Sequence, residues 1–348
     1  MNMFFLEFRD PLFGIIIFFV LVFIITFVSY WLARFKKRED HKHLDKFLKQ
    51  FNTLPSQNEL KVLISSGELS EKSWLLLANS YTKNGNFEKS IEIYRELLKV
   101  GDKANYRDTM FLLGKTYFKA GFLERARQIF LEILKNNPRT PQALNYLLLV
   151  YEHMQDYKSA LEVLEPLEEL KKDISSDSAY LNSLIILNNP ELSTEDKVQE
   201  LLAIYRKYNQ LTYMIFEYIF RVNPKIAWEN FDYSKAELLV DILWSVDKKD
   251  LNLDIIMQNS YLKELYSAKG YIKESSKSSI FEFNVLINLN PKVNATLSFE
   301  YICDNCKQVY PFSFNRCSSC HTIDTSRVEL GLTKNYYKDF SEENSSFQ

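Results

Sequence analysis

The sequence predicts an all-α protein with three parts: an N-terminal transmembrane helix, a solenoid of helical repeats and a small C-terminal metal-binding domain. Three observations predict this order: an uncharged apolar segment at residues 12–32, a helical pattern that recurs about every 34 residues, and four cysteines between residues 303 and 320. The chain contains only eight glycines in 348 residues. Low glycine with abundant Leu, Ile, Lys and Glu favours helices over a sheet.

The apolar N-terminal segment is long enough to span a bilayer. Residues Leu12–Leu32 read LFGIIIFFVLVFIITFVSYWL and carry no charge. At about 1.5 Å per residue, such a helix crosses the roughly 30 Å hydrocarbon core. A cleaved signal peptide is the alternative, but Glu7, Arg9 and Asp10 do not form a basic leader and no small-residue cleavage site follows. The segment therefore predicts a retained anchor with a short non-cytoplasmic N-terminus at residues 1–11.

The charges after the apolar segment predict its orientation. Seven Lys and Arg residues lie just beyond it, at Arg34, Lys36, Lys37, Arg38, Lys42, Lys46 and Lys49. By the positive-inside rule, the bulk of a single-pass chain is then cytoplasmic. Glu39, Asp40 and Asp45 offset part of the charge, so this segment is expected to set topology and not to bind lipid strongly. Residues 33–70 are interpreted as a basic juxtamembrane segment with short helices.

The middle of the chain repeats a helix-turn-helix pattern of large and small residues. The three clear registers are Trp74-x2-Leu77-Ala78-x2-Tyr81, Met110-x2-Leu113-Gly114-x2-Tyr117 and Leu144-x2-Leu147-Leu148-x2-Tyr151. The small residue lets the two helices of a unit approach closely, and Gly85 and Gly121 provide left-handed residues that end the first helices. No unit buries its apolar face alone, so the units are expected to stack into a solenoid. This solenoid is predicted over residues 71–290, with clear repeats over 71–167 and degenerate ones after, among them helices over residues 194–208 and 255–269.

The first helix of each repeat is expected to line a concave groove. We interpret the repeat tyrosines as core residues, since repeat positions of this kind face the neighbouring helix. Side chains between the signature positions are left to contact a bound peptide segment. The candidate partner-binding residues are Asn79, Lys83, Lys115, Lys119, Tyr146 and Met154, with Leu149 and Val150 predicted on the same face.

The four cysteines form two CxxC pairs, Cys303-x2-Cys306 and Cys317-x2-Cys320, separated by ten residues. Two such pairs on facing turns bring four sulfurs around one tetrahedral point, the set that binds zinc or iron. A pair of disulfides is the alternative, but it needs an oxidising compartment and is typical of small secreted domains. We therefore predict one metal ion, zinc or iron, in a domain at residues 291–330, followed by a flexible tail at 331–348. Four ligands leave zinc no open position, so a structural role is expected.

The repeats are similar to tetratricopeptide repeats. The order of membrane anchor, repeats and four-cysteine domain resembles that of the lipopolysaccharide assembly protein B (LapB, or YciM) family. That family ends in a rubredoxin-like domain, to which residues 301–306 (YICDNC) and 317–320 (CSSC) are similar. Lys307 and Ser318 stand where the family has glycine and proline. The resemblance implies an inner-membrane adaptor facing the cytoplasm, which couples lipopolysaccharide supply to degradation of the deacetylase LpxC by the protease FtsH.

A non-catalytic adaptor is accordingly the function we expect. The sequence has no glycine-rich nucleotide-binding motif and no convergent acid, base or nucleophile set. The expected partners, by resemblance, are an FtsH-like membrane protease and lipopolysaccharide-synthesis proteins, and a homodimer is a further candidate assembly. Nucleic acid is not expected, since the net charge is −2 and Lys307 and Arg316 alone are basic between the outer cysteines. The alternatives are a rubredoxin-like iron redox protein with the repeats as docking platform, or a generic membrane-assembly scaffold.

Overall fold

The computed structural model describes residues 20–28, 57–66, 69–100, 105–170, 172–289 and 294–334, in two compact units, Met1–Met154 and Gln155–Gln348. Residues 20–28 are helical with exposed side chains. The rest of the predicted membrane span, most of the predicted juxtamembrane segment and most of the predicted tail lie outside the described residues. Within the described ranges, no helix combines the length and apolar character needed to cross a membrane. The anchor and its orientation stay predictions.

The first unit is built from antiparallel helix pairs. Its labelled helices are α1 (Gln57–Ser65), α2 (Glu71–Lys83), α3 (Phe87–Val100), α4 (Tyr106–Lys119), α5 (Leu123–Asn136) and α6 (Pro141–His153). Ser70 caps the start of α2, because its side chain accepts a hydrogen bond from the Ser73 backbone N–H. Gly85 and Gly121 have φ of 77° and 79° in the turns after α2 and α4, as the sequence predicts.

The small residue of the repeat pattern sits where two helices touch. A Cβ atom on Gly114 would lie 2.9 Å from Cε1 of Phe130, a side chain that is fully buried in α5. Nearby, the Thr82 hydroxyl lies 2.7 Å from that of Ser90 and 3.1 Å from that of Thr116. These contacts join α2, α3 and α4 through buried hydroxyls that satisfy one another. The close helix approach predicted from the pattern is confirmed.

The second unit continues with shorter helices. They are α7 (Tyr157–Glu162), α8 (Leu164–Glu169), α9 (Ser175–Asn188), α10 (Thr194–Tyr208), α11 (Thr212–Val222), α12 (Pro224–Asn230), α13 (Val240–Ser245), α14 (Leu253–Gln258), α15 (Ser260–Ala268) and α16 (Phe281–Asn288). Two 3₁₀ segments, Tyr233–Leu239 and Lys248–Asp250, flank α13. The helix predicted continuously over residues 255–269 is broken at Asn259, whose side chain accepts from the Leu262 N–H and starts α15 instead.

The chain is mostly helical, but its C-terminal domain contains a three-stranded antiparallel sheet, so the all-α class is correct only for the rest of the described residues. The strands β1 (Ala295–Cys303), β2 (Val309–Tyr310) and β3 (Ser326–Lys334) lie in the order β2-β1-β3. The β1–β3 register runs from Ala295 opposite Lys334 to Cys303 opposite Ser326. β3 continues past the predicted domain boundary at residue 330.

The sheet packs onto the helices of its own unit. Leu297 is buried in the same cluster of apolar side chains as Phe216, Trp228 and Tyr266, and Phe299 packs against that cluster. A small sheet with two exposed faces would be marginally stable alone. Burial of one face against helices places the cysteine loops at the edge of a packed core.

Candidate metal centre and repeat surface

Two loops of matching geometry carry the cysteines. The backbone N–H of Lys307 donates to the Cys303 carbonyl, and that of His321 donates to the Cys317 carbonyl, each at 2.8 Å. In return, the N–H of Cys303 donates to the Gln308 carbonyl at 3.0 Å, and that of Cys317 donates to the Thr322 carbonyl at 2.9 Å. The two CxxC segments therefore fold into equivalent turns.

Each turn closes through a left-handed residue just after its second cysteine. Lys307 has φ of 60° and His321 has φ of 62°. Glycine adopts this conformation without steric cost, whereas other residues pay roughly 1–2 kcal/mol. Lys307 therefore keeps the turn that the resemblance associates with glycine, at a cost in backbone energy.

The four sulfur atoms have the spacing of a tetrahedral metal site. All lie within 4.8 Å of one another, with Cys303 Sγ 3.6 Å from Cys320 Sγ and Cys306 Sγ 3.6 Å from Cys317 Sγ. Zinc–sulfur bonds of about 2.3 Å place tetrahedral sulfurs about 3.8 Å apart, whereas a disulfide needs about 2.05 Å. The prediction that one point gathers all four cysteines is confirmed, and the set can bind one metal ion.

The surroundings shift the pKa values of two of these thiols in opposite directions. Burial opposes ionisation of Cys320, but hydrogen bonds from the Thr322 hydroxyl and N–H, together with those from Asn305 and Cys317, outweigh it and lower the pKa of Cys320 to about 5. A backbone hydrogen bond from Gln308 favours the Cys306 thiolate, yet burial and the neighbouring sulfurs together raise its pKa to about 11. The sulfurs thus resist ionising together, and a divalent cation supplies the charge that lets all four become thiolates.

Hydroxyl groups surround the cluster. The Thr325 Oγ1 lies 3.3 Å from Cys303 Sγ, and the Tyr310 hydroxyl oxygen lies 3.2 Å from Cys317 Sγ. When the sulfurs are thiolates, these hydroxyls donate to them and fix their orientation.

Arg316 ties the second loop to the helices. Its guanidinium pairs with Asp177 of α9 at 3.1 Å, donates to the His321 carbonyl at 2.9 Å and lies 5.0 Å from the centre of the Tyr180 ring. The Arg316 and Asp177 side chains are only 9% and 13% exposed. Sequence reasoning missed this pair, because nothing local marks Arg316 as the partner of an acid so distant in sequence.

Asp324 makes a second link from the same loop. Its Oδ2 accepts a hydrogen bond from the Leu211 N–H at 2.9 Å, just before α11. Leu211 is buried with φ of 61°, a strained conformation for a leucine that the surrounding contacts hold in place. The loop that carries Cys317 and Cys320 is therefore anchored on both sides, to α9 and to the residue that precedes α11.

β1 supplies a third link. Asp241 Oδ2 accepts hydrogen bonds from the hydroxyls of Tyr301 in β1, at 2.7 Å, and Tyr213 in α11, at 2.6 Å. The metal-binding domain is thus joined to α9, α11 and α13 through polar side chains as well as apolar packing.

On the first unit, the predicted groove residues fall into two groups. Lys83, Lys119 and Met154 are exposed, whereas Asn79, Lys115 and Tyr146 are half-buried. The lysine ammonium of Lys115 lies 5.7 Å from the centre of the Tyr146 ring, which packs against Phe111, Phe118 and Phe130. Leu149 and Val150 are buried, so their predicted place on an open face is wrong: both belong to the core.

Two segments match sequence models of a known repeat, residues 71–100 and 111–171, both described as the tetratricopeptide repeat. These segments are tetratricopeptide repeats. The matches include the exposed lysines Lys83 and Lys119, and the tetratricopeptide architecture is that of a protein-interaction scaffold.

Among solved structures, a tetratricopeptide repeat protein from Parabacteroides merdae is 15% identical, covering 72% of this chain and 96% of that one with a TM-score of 0.39. BtubC (BKLC) from P. vanneervenii is also 15% identical, covering 70% of this chain and 93% of that one with a TM-score of 0.28. No curated protein matches the sequence. Because both TM-scores are low, the description of the fold rests on the tetratricopeptide repeats and not on these structures.

Proposed function

We propose that this chain is a non-catalytic, membrane-tethered scaffold that binds protein partners on its tetratricopeptide repeats. The observation that carries the proposal is the pair of lysines Lys83 and Lys119, exposed in the last turns of the corresponding helices α2 and α4. Most signature residues of the same helices are buried by packing, namely Trp74, Leu77 and Ala78 in α2 and Met110, Leu113 and Tyr117 in α4. The open helix faces are left for a partner.

The charge on this surface points to the kind of partner. Lys83 and Lys119 are joined by half-buried Lys115, whose ammonium lies against an aromatic ring. Three lysines on the first helices of adjacent repeats favour an acidic segment, since complementary charge speeds encounter and sets orientation. Tethering at a membrane would raise the effective concentration of such a partner there.

The metal-binding domain has a structural task in this proposal. When bound, the metal joins the two cysteine loops through four sulfur bonds. Arg316 and Asp324 then transmit that order to α9 and to the start of α11. The second unit is held in one arrangement, as a scaffold requires.

The order of modules supports a finer proposal. An apolar N-terminal segment, tetratricopeptide repeats and a four-cysteine domain follow the order of the LapB family. We infer a place in the inner membrane with the bulk of the chain in the cytoplasm. The proposed partners are an FtsH-like protease and lipopolysaccharide-synthesis proteins, with regulated turnover of LpxC as the outcome.

Crosslinking in the native membrane tests the scaffold. The wild-type chain is compared with a Lys83→Glu, Lys119→Glu variant and with Lys135→Glu, an exposed charge reversal on α5 as matched control. We expect the wild type and the control to crosslink the same protein partners and the double variant to lose them. A folded wild-type chain that captures no protein, or a double variant that keeps every partner, contradicts the proposal.

An iron redox protein is the second candidate, favoured by the hydroxyls that lie beside the sulfurs. Hydrogen bonds to cysteine sulfur tune the reduction potential of iron sites. Metal analysis with an absorption spectrum separates the candidates. A red protein with a reversible iron couple supports redox function, and a colourless zinc protein excludes it.

A further inference from the structure

A cleft of about 650 Å³ lies in the second unit between α11, α13 and β1. Its walls combine aromatic and acidic side chains, among them Tyr213, Glu217, Asp241, Phe299 and Tyr301. None of these residues is a metal ligand or belongs to the repeat face described above. The cleft is therefore a separate surface feature.

One lining residue, Asp241, has an unsatisfied carboxylate oxygen. Asp241 Oδ2 accepts both tyrosine hydroxyls, which fixes the carboxylate in place. Asp241 Oδ1 is buried and, within the described part of the chain, has no hydrogen-bond partner. A buried acceptor without a donor is costly, and native proteins rarely keep one without a reason. The fixed Asp241 carboxylate therefore adds negative potential that attracts a positive group to the cleft.

The other charges that face the cleft leave it acidic. Burial raises the pKa of Glu217, with smaller influences from Arg221, which lowers it, and Asp241, which raises it. Arg221 is the cation among the lining residues, and its guanidinium lies 5.6 Å from the centre of the Tyr218 ring. A bound cation would return Glu217 to its charged form and pair with it.

Other charged side chains in or near the cleft interact mainly with partners of their own. Asp247 lies 3.9 Å from the ammonium of Lys249, a weak exposed pair. The Lys269 ammonium donates to the carbonyls of Trp244 and Val246. Asp250 adds one more carboxylate to the lining. Glu217 and Asp250 are thus available to a positive group, and Asp241 adds a third negative charge to the lining.

We propose that this cleft binds an arginine side chain of a protein partner, with the guanidinium donating to Glu217 beside the negatively charged Asp241 and resting against the rings of Phe299 and Tyr301. The proposal rests on the scaffold function, because it names the chemistry of a protein partner. Arginine fits better than lysine, since a planar guanidinium donates in parallel to carboxylates and stacks on aromatic rings. Lysine presents a strongly hydrated point charge and cannot stack in this way.

Peptide selection tests the assignment. A random nonapeptide library displayed on phage is panned against the full-length chain in detergent micelles and against its Glu217→Gln, Asp241→Asn and Glu200→Gln variants. The first two remove cleft charges with little change of shape, and Glu200 is a matched exposed acid on α10. We expect the wild type and Glu200→Gln to select peptides with a shared arginine that do not bind the two cleft variants.

A selected peptide is then titrated by fluorescence anisotropy, with its arginine intact or replaced by the neutral isostere citrulline. We expect citrulline to weaken binding to the wild type about tenfold or more, because charge-assisted hydrogen bonds are stronger than neutral ones. The difference should disappear in Glu217→Gln.

Peptides without a shared arginine, or equal binding to the wild type and both cleft variants, would overturn the assignment. If such peptides lose binding with Lys83→Glu, Lys119→Glu, the scaffold function stands and the cleft proposal alone fails. A folded chain that selects no peptide counts against both.

Discussion

Arg316, the residue before Cys317 of the four-cysteine cluster, forms a nearly buried ion pair with Asp177, which lies 139 residues earlier in the chain. The pair joins the second cysteine loop to α9. The candidate metal centre therefore lies directly beside a contact that holds its domain on the helices.

Removing one partner of this pair should strongly destabilise the second unit. We expect Arg316→Ala to lower the free energy of unfolding by about 1.5–3 kcal/mol, because the nearly buried Asp177 loses this charge-assisted hydrogen bond and keeps the longer pair with Lys172, at 3.5 Å. Denaturant unfolding followed by tryptophan fluorescence measures this. Arg327→Ala is the control, since its pairs with Asp304 and Glu329 are exposed and should contribute about 1 kcal/mol or less. Equal losses for both variants would show that the buried pair has no special role.

Metal removal should loosen the same region. With a chelator, or in a Cys303→Ser, Cys306→Ser variant, we expect a lower Tm and faster hydrogen exchange at the Leu211 N–H, because Asp324 is no longer held by an ordered loop. Returned metal should restore protection in the chelated wild type but not in the variant. Unchanged exchange at Leu211 after complete metal loss would contradict the coupling.

A glycine at the left-handed position of the first turn should stabilise the domain. We expect Lys307→Gly to raise the free energy of unfolding by about 1 kcal/mol, since glycine relieves the strain of φ 60°. Lys307→Ala is the matched control: it also removes the exposed contact with Asp304 but keeps the strain. A gain of the same size in both variants would assign the effect to the side chain and not to the backbone.

The opposite change at Gly114 should destabilise the repeats. Alanine is the better helix former by about 1 kcal/mol, but its Cβ would meet Phe130 at 2.9 Å. We expect overpacking to dominate, with a net loss of about 1–2 kcal/mol. Replacing Phe130 with leucine in the same chain should recover part of the loss caused by Gly114→Ala. A more stable Gly114→Ala variant would mean that α4 and α5 separate easily.

Alkaline pH should weaken the second unit through Tyr213. Burial, together with the adjacent Asp241 carboxylate, raises the pKa of Tyr213 in the folded chain above its ordinary value. A group whose pKa is raised on folding contributes stability below its unfolded pKa, about 10 for tyrosine, and loses that contribution as pH rises further. Stability should therefore fall above about pH 10, and Tyr213→Phe should flatten that fall. Tyr106→Phe, at an exposed site, should leave the slope unchanged.

Features encoded by short-range spacing were predictable. The repeats follow from residues three, four and seven apart on single helices, and the four-cysteine cluster from two CxxC pairs only ten residues apart. In each case the residues that interact are neighbours in sequence, so local geometry suffices. The helix α10 was predicted with its observed ends from its helical period, and the structure shows that Ser193 caps its start and Asn209 takes a left-handed conformation at its end.

The misses have a common cause. The burial of Leu149 and Val150 depends on which helices pack over that face, and the break at Asn259 depends on a side chain choosing to cap a new helix. A periodic apolar pattern predicts neither feature, because the pattern is the same for an exposed helix face and for a covered one.

By itself, the sequence determined that helical repeats precede a four-cysteine site, because both depend on contacts between residues near each other in the chain. Only the tertiary structure decided that Arg316 meets Asp177, that two tyrosines converge on Asp241, and that an acidic cleft forms beside them. These arrangements join residues 28 to 139 positions apart. Such distances are bridged by the packing of the sheet onto the helices, and no local spacing specifies which buried charge finds which partner.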